Sequence, residues 1–400
     1  MPDLLSSFAR LGPHPRLFWT VKEDALLAAR LREDASAAQF QSRLLSLAEA
    51  HLGDPAPVRE LRGKRMLQVS RACLRRLGLC AFAFRSTGEG RFLARVRDDL
   101  HAVCAFPDWN PSHFLDVAEM AMGVALAYDW VHAGLSEEDR AVVVTALLTK
   151  ALAPGTVEGQ WWQTRDNNWN QVCHGGLGAA ALAIAEDYPQ AAAVLARFEG
   201  NTRAALACYA PHGAYPEGPA YWSFGTTYSV LFMDGLRTAL GGYRTPTMDA
   251  PGFLSSGEYM AHVVGPSGQW FCYSDCGSMG KAPEAALAWI AAERQDAALW
   301  GDGARRLAAF AAATGEGGGG VLPTAFCPSP SFGPCACRRP RAPPPPCHCP
   351  GVGRAPPPWP FTAPPPPLPL PLPRVLRVLP PHTLAAARAA QLPRARCGLQ

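Results

Sequence analysis

Through the first three quarters of the chain, apolar side chains recur at three- and four-residue intervals, the spacing that turns one face of an α-helix toward a core. Residues 21–31 show it first, with Leu26, Leu27 and Leu31 on one face and Thr20 placed to cap the start. The same period predicts helices over 37–52, 67–85, 90–103, 114–131, 136–151, 169–185, 189–208, 223–240 and 253–263. Two more follow at 283–294 and 303–313. Gly, Pro and Asp fill the short connections. The strand signal is confined to residues 270–274, just after the turn residues Gly265, Pro266, Ser267 and Gly268. About ten antiparallel helices on short loops predict a mainly α fold, a helical toroid or layered bundle, over residues 1–314.

Composition divides the chain in two. The 80 residues from Val321 onward hold 24 of the 40 prolines, 6 of the 13 cysteines and nine arginines, with no Asp, Glu or Lys. Runs such as Pro343–Pro346 and Pro364–Pro367 build neither helix nor sheet. Residues 315–400 therefore read as a low-complexity tail, either disordered or the product of GC-rich codons translated out of frame. A polyproline ligand is the functional alternative. Cys335, Cys337, Cys347, His348 and Cys349 resemble metal ligands only by composition.

The tail also explains the charge. Without its nine arginines the remainder holds 28 basic against 33 acidic residues, so the formal net charge of +4 is no sign of nucleic-acid binding. Cys73, Cys80, Cys104, Cys173, Cys208, Cys272 and Cys276 lack the paired spacing of a zinc site; Cys173 and Cys208 are expected as free thiols in apolar helices. No metal and no cofactor is predicted. No run reaches the roughly 18 apolar residues of a membrane span, and the first 20 residues lack the organisation of a signal peptide. The chain as written is expected in the cytoplasm, or in the periplasm if its true start lies upstream.

Two segments concentrate the chemistry. The first, Gln160 to Gly176, contains Trp161, Trp162, Arg165, Asn167, Asn168, Trp169, Asn170 and His174. Asparagines compete for backbone hydrogen bonds and are costly inside a helix, so their density suggests a polar cleft floor. The second, His212 to Gly225, contains Tyr215, Glu217, Tyr221 and Trp222 in a loop shaped by Gly and Pro. Indoles that stack on pyranose rings and amides that bond hydroxyls suit a sugar site. Tight inter-helix packing with buried Asn caps is the alternative.

The two segments together resemble the signature pair of heparinase II/III-like and alginate-lyase-like polysaccharide lyases. Residues 14–18, 109–116, 128–130 and 271–275 fit the same resemblance, which spans roughly residues 13 to 310. It implies an (α/α) toroid followed by a β-sandwich, and β-elimination at a uronic acid in a poly- or oligosaccharide. By resemblance Asn168 would neutralise the uronate carboxylate, and Tyr221 would act as base, acid or both. Many relatives carry a histidine directly after that asparagine; Trp169 stands there, and His174 is the nearest substitute. Asn167, Trp169, Arg165, Trp162, Tyr215, Glu217 and Trp222 are the candidate substrate-binding residues, with His113 and His212 able to line the cleft. Residues 315–400 supply no β-sandwich, so the chain as written is expected to be impaired. The sparse basic residues favour an alginate-like or unsulfated glycan over a heavily sulfated one. A glycoside hydrolase drawing on Asp116, Glu119, Asp129, Asp166 and Glu217, or a non-catalytic glycan-binding module, remain the alternatives.

Overall fold

A computed structural model describes residues 3–265, 267–276 and 284–312; the expectations for residues 315–400 lie outside them. The described chain is mainly α-helical, and no strand forms among these residues. After a single turn at α1 (Leu4–Ser7) come α2 (Asp24–Glu33), α3 (Ala35–Ala50), α4 (Leu67–Thr87), α5 (Gly90–Cys104) and α6 (Phe114–Val131). Then follow α7 (Glu137–Ala146), the one-turn α8 (Ala153–Gly155), α9 (Asn168–Ala183), α10 (Ala191–Leu206) and α11 (Pro219–Ala239). The last three are α12 (Ser256–His262), α13 (Ala285–Arg294) and α14 (Ala297–Ala312).

Two spans differ from the sequence pattern. The helix expected over 136–151 changes register into a π-helical turn, Leu147–Leu152. Pro154 follows immediately and has no N–H for the Lys150 carbonyl, so the regular ladder cannot continue unchanged. The strand expected at 270–274 is absent. Only a single bridge joins Val264 and Trp270 across the turn at 265–268, and no second strand runs beside it among the described residues.

The inner layer explains itself by burial. Every residue of α6 except Trp130 is buried, and so is every residue of α9 except Trp169. Helices apolar all round have no solvent face and must be packed on several sides. α6 lies between α4 and α9, and α11 packs on the far side of α9. Glycines allow the close approach: a Cβ on Gly176 would lie 2.1 Å from the Ala118 carbonyl oxygen, and one on Gly175 would lie 2.8 Å from that of Tyr228. α5 returns beside α4 and α10 beside α9, while α13 packs on α11 and α14 touches both α13 and α3.

The seven cysteines of the described residues are unbridged; Cys173 is buried and Cys208 half-buried. None of the described helices is long and apolar enough to cross a membrane.

What matters for the site is direction. The Met66 N–H, at the start of α4, bonds Asp116 in the first turn of α6. His113, just before α6, meets the ring of Trp169 in the first turn of α9. Asn168, which opens α9, bonds Glu217 two residues ahead of α11. The four inner helices therefore begin at one end, and the partial positive charge of four helix starts gathers there.

Candidate functional site

The helix-start end is where the two chemical segments meet. Asn167 is the N-cap of α9: its side-chain oxygen accepts the Trp169 N–H at 3.2 Å. That oxygen is therefore engaged locally rather than turned toward a substrate. Asn168 is 2% exposed, and its Nδ2 donates to both oxygens of Glu217 at 2.9 and 3.0 Å. The backbone N–H of Asn168 reaches the same carboxylate at 3.1 Å. This fixes the amide orientation and leaves Asn168 Oδ1 buried without a partner. As held here, Asn168 keeps its oxygen buried, and its Nδ2 can donate to a carboxylate only if Glu217 releases it.

Glu217 stands in a loop whose shape depends on Gly218. That residue has φ +86, and a Cβ there would come within 2.7 Å of the Tyr273 carbonyl oxygen. Tyr273 in turn donates its hydroxyl to the Tyr215 carbonyl. Behind Glu217 runs a closed chain of hydrogen bonds. The Tyr215 hydroxyl lies 2.8 Å from Gln171 Oε1 and 3.1 Å from Glu217 Oε2. Gln171 Nε2 donates to the Tyr209 hydroxyl at 2.8 Å and to Ser229 at 2.9 Å. Tyr215, at 1% exposure, is thus a brace for Glu217 and not a substrate contact. Its phenol is pushed well above the ordinary range, chiefly by burial.

Tyr221 is half-buried in the first turn of α11. Burial raises its phenol, the charges of Asp275 and Glu217 raise it further, and Arg65 and Arg71 oppose them. The net direction is upward, so the hydroxyl stays protonated at neutral pH. A hydroxyl that keeps its proton can serve as a donor.

The candidate histidine is elsewhere. His174 is fully buried, with Nδ1 2.8 Å from the Asn170 carbonyl and its ring between Trp162 and Phe198. Burial pushes its pKa down to about 3. A neutral imidazole sealed in the core has no route to a substrate. Trp162 and Trp222 are also fully buried, Trp162 stacked on Phe114 at 5.1 Å, so neither offers a face to a sugar. The exposed indole is Trp161, at 48%, tilted against half-buried Trp169 at 4.7 Å with the Arg165 guanidinium 5.9 Å from its ring.

Two contributors, Arg65 and Arg71, were not named from the sequence, and His113 was named only as able to line the cleft. Arg65 is exposed beside the start of α4, and Arg71 lies one turn into that helix, bonded to buried Glu119 at 3.0 Å and stacked over Phe224 at 5.4 Å. His113 bonds Asp116 at 2.8 Å. No local signal marks Arg71: it is the fifth residue of α4, and its partners Glu119 and Phe224 come from other helices.

The carboxylates named for a hydrolase are mostly unavailable. Asp116, Glu119 and Asp129 are each fully buried and paired. Glu217 has both oxygens occupied, which leaves exposed Asp166 without an open partner. Among the described residues no cluster of three or more His, Cys, Asp or Glu could hold a metal ion. Comparison of the chain with protein-family models and with curated proteins found no match.

Proposed function

We propose that the chain is the helical domain of a polysaccharide lyase that cleaves uronic-acid glycans by β-elimination. The toroid this reading needs is supported by the order of helix contacts: α3, α4, α6, α9, α11, α13 and α14 touch in succession, and α14 returns to α3.

The observation that carries the reading is the combination at the open end. A protonated tyrosine, Tyr221, stands with Arg65 and Arg71 where four helix starts converge, and Glu217 in the same turn holds Asn168. In elimination the C5 proton is only weakly acidic, because its loss places negative charge on a carboxylate that is already charged. Fixed positive charge is the remedy: Arg65 and the helix starts lower the energy of the enolate-like species as it forms. Tyr221 then protonates the departing O4. Trp161 with Trp169 gives the glycan an apolar wall. A hydrolase would require two facing carboxylates free to act, and both oxygens of Glu217 are bonded within the protein.

The test is the product. Incubating the full chain with polymannuronate, hyaluronan and heparosan should generate the ultraviolet absorbance of an unsaturated uronate. New reducing ends without that absorbance would identify a hydrolase. Saturable binding with neither product would leave a glycan-binding module.

A further inference from the structure

The segment from Trp109 to Asp116 takes no part in the steps above, although the sequence singles it out. Its geometry is unusual. Asn110 adopts a left-handed backbone conformation, φ 60 and ψ 65, which is uncommon outside glycine and sustained only where its surroundings hold it. Its Nδ2 donates to the Lys64 carbonyl at 2.9 Å and to Asp116 Oδ2 at 2.6 Å, and its Oδ1 accepts the Ser112 hydroxyl at 2.7 Å. Asp116 is fully buried and also takes the Met66 N–H at 2.6 Å. Its other oxygen meets His113 Nδ1 at 2.8 Å.

A carboxylate gripped by these donors is fixed in position, and it fixes the ring it bonds. Because Asp116 accepts, His113 Nδ1 carries the hydrogen and Nε2 is left with its lone pair. Asp116 has no exposure, whereas the His113 side chain keeps 13%. The ring stands edge-on to Trp169, 5.0 Å between centroids, and Trp169 directly follows Asn168. His174 is sealed in the core and the Tyr221 hydroxyl keeps its proton, so neither is free to take one.

We infer that His113 is the general base of the site, oriented by Asp116. In the step it serves, the C5–H bond breaks and the proton passes to His113 Nε2. The electron pair forms the C4–C5 double bond, the C4–O4 bond breaks, and O4 leaves with the proton of Tyr221. The imidazolium and the tyrosinate are reset by net proton transfer through solvent. This assignment rests on the elimination reading, and the experiment separates the two.

His113→Asn keeps a donor for Asp116 but cannot accept a proton. With the three glycans above, it should lower kcat by roughly 100-fold or more while leaving the thermal midpoint nearly unchanged. A variant within a few-fold of the parent overturns the assignment and leaves the elimination reading intact. A parent that forms no unsaturated product removes the reaction and this role with it. Nitrogen-15 NMR of the full chain gives a check that needs no turnover. The expected tautomer has the proton on Nδ1 of His113; a proton resident on Nε2 overturns the assignment whatever the assay shows.

Discussion

Where α6, α9 and α11 finish, residues 12–18 lie across the helix ends and pair with what they find there. The Gly12 N–H takes the Ala239 carbonyl and the Phe18 N–H the Thr238 hydroxyl, both at the end of α11. Asp129 accepts the backbone of Arg16 and Leu17 at 2.9 and 2.8 Å, and His14 Nδ1 at 2.6 Å. The Arg16 guanidinium reaches the Leu182 carbonyl and Glu186, a fitting place for a cation at a helix C-terminus. Where α4, α6, α9 and α11 begin, the described residues 273–276 reach the start of α11 beside Gly218, and Arg65 and Trp161 stay exposed. Both ends are dense in charge and aromatic rings. The first is bound up in its own hydrogen bonds; the second keeps an exposed guanidinium and an exposed indole, Arg65 and Trp161.

The comparison breaks hardest at the closed end. Asp129→Ala should strip the plug of its anchor, leaving two backbone donors and a histidine without their acceptor. The expected loss is about 3–5 kcal/mol of stability, read from the denaturant midpoint of the full chain. A loss below about 1 kcal/mol would mean that residues 12–18 are held by other contacts and that the contrast is overdrawn.

Tyr221→Phe at the open end should do the reverse. It should lower formation of the unsaturated product by about 100-fold, equivalent to about 2.7 kcal/mol in the barrier, with a far smaller change in stability. Glu217→Gln should be gentler on turnover, because an amide can still brace the loop through one oxygen. If Glu217→Gln abolishes turnover while Tyr221→Phe retains it, the elimination chemistry proposed here is wrong.

Much of the closed architecture could be read from the chain, because helix periodicity is local. The chemistry of the open end was only half legible. Asn168 announced itself through a residue type that is costly inside a helix, Glu217 and Tyr221 through a loop shaped by Gly and Pro. Which indole faces water did not: Trp161 and Trp162 are neighbours in one turn, and their fates depend on Phe114 and His174 from other helices. His174 misled for a similar reason. Its place beside an Asn-rich motif suggested chemistry, yet one helical turn back lies the Asn170 carbonyl that holds it in the core. Arg65 was invisible because its relation to Tyr221 crosses about 150 residues and arises only from the shared direction of α4 and α11. The predicted strand failed because an alternating run pairs only if another strand is within reach.

A pH series sharpens the buried status of His174. Its folded pKa lies near 3, below the ordinary 6.5, so on acidification the unfolded chain takes the proton first. Stability should therefore fall as pH drops below about 6.5, by about 1.4 kcal/mol per unit, until the folded group itself titrates. By pH 5 this amounts to about 2 kcal/mol. His14 works in the opposite sense: burial disfavours its charge, but Asp129 and Glu186 outweigh that and hold its pKa up. The cleaner readout is thus a difference. His174→Gln should lose less stability than the parent between pH 7 and 5, in urea titrations of both. Equal slopes would place His174 in contact with water.

The smallest effect tests whether the open end is a surface for sugar at all. Trp161 is 48% exposed, so its truncation removes little from the core, and Trp161→Ala should change stability by no more than about 0.5 kcal/mol. If its ring is the outer platform, the same variant should weaken oligouronate binding several-fold, since an aromatic face in contact with a ring contributes about 0.5–1.5 kcal/mol. Trp162→Ala is the internal control. One residue away but sealed against Phe114 and His174, it should cost about 3–5 kcal/mol of stability. Calorimetric titration with a mannuronate oligomer and a denaturation curve for each variant would separate the two neighbours. Unchanged affinity in Trp161→Ala would move the sugar contact inward to Trp169, whose ring meets both Trp161 and His113.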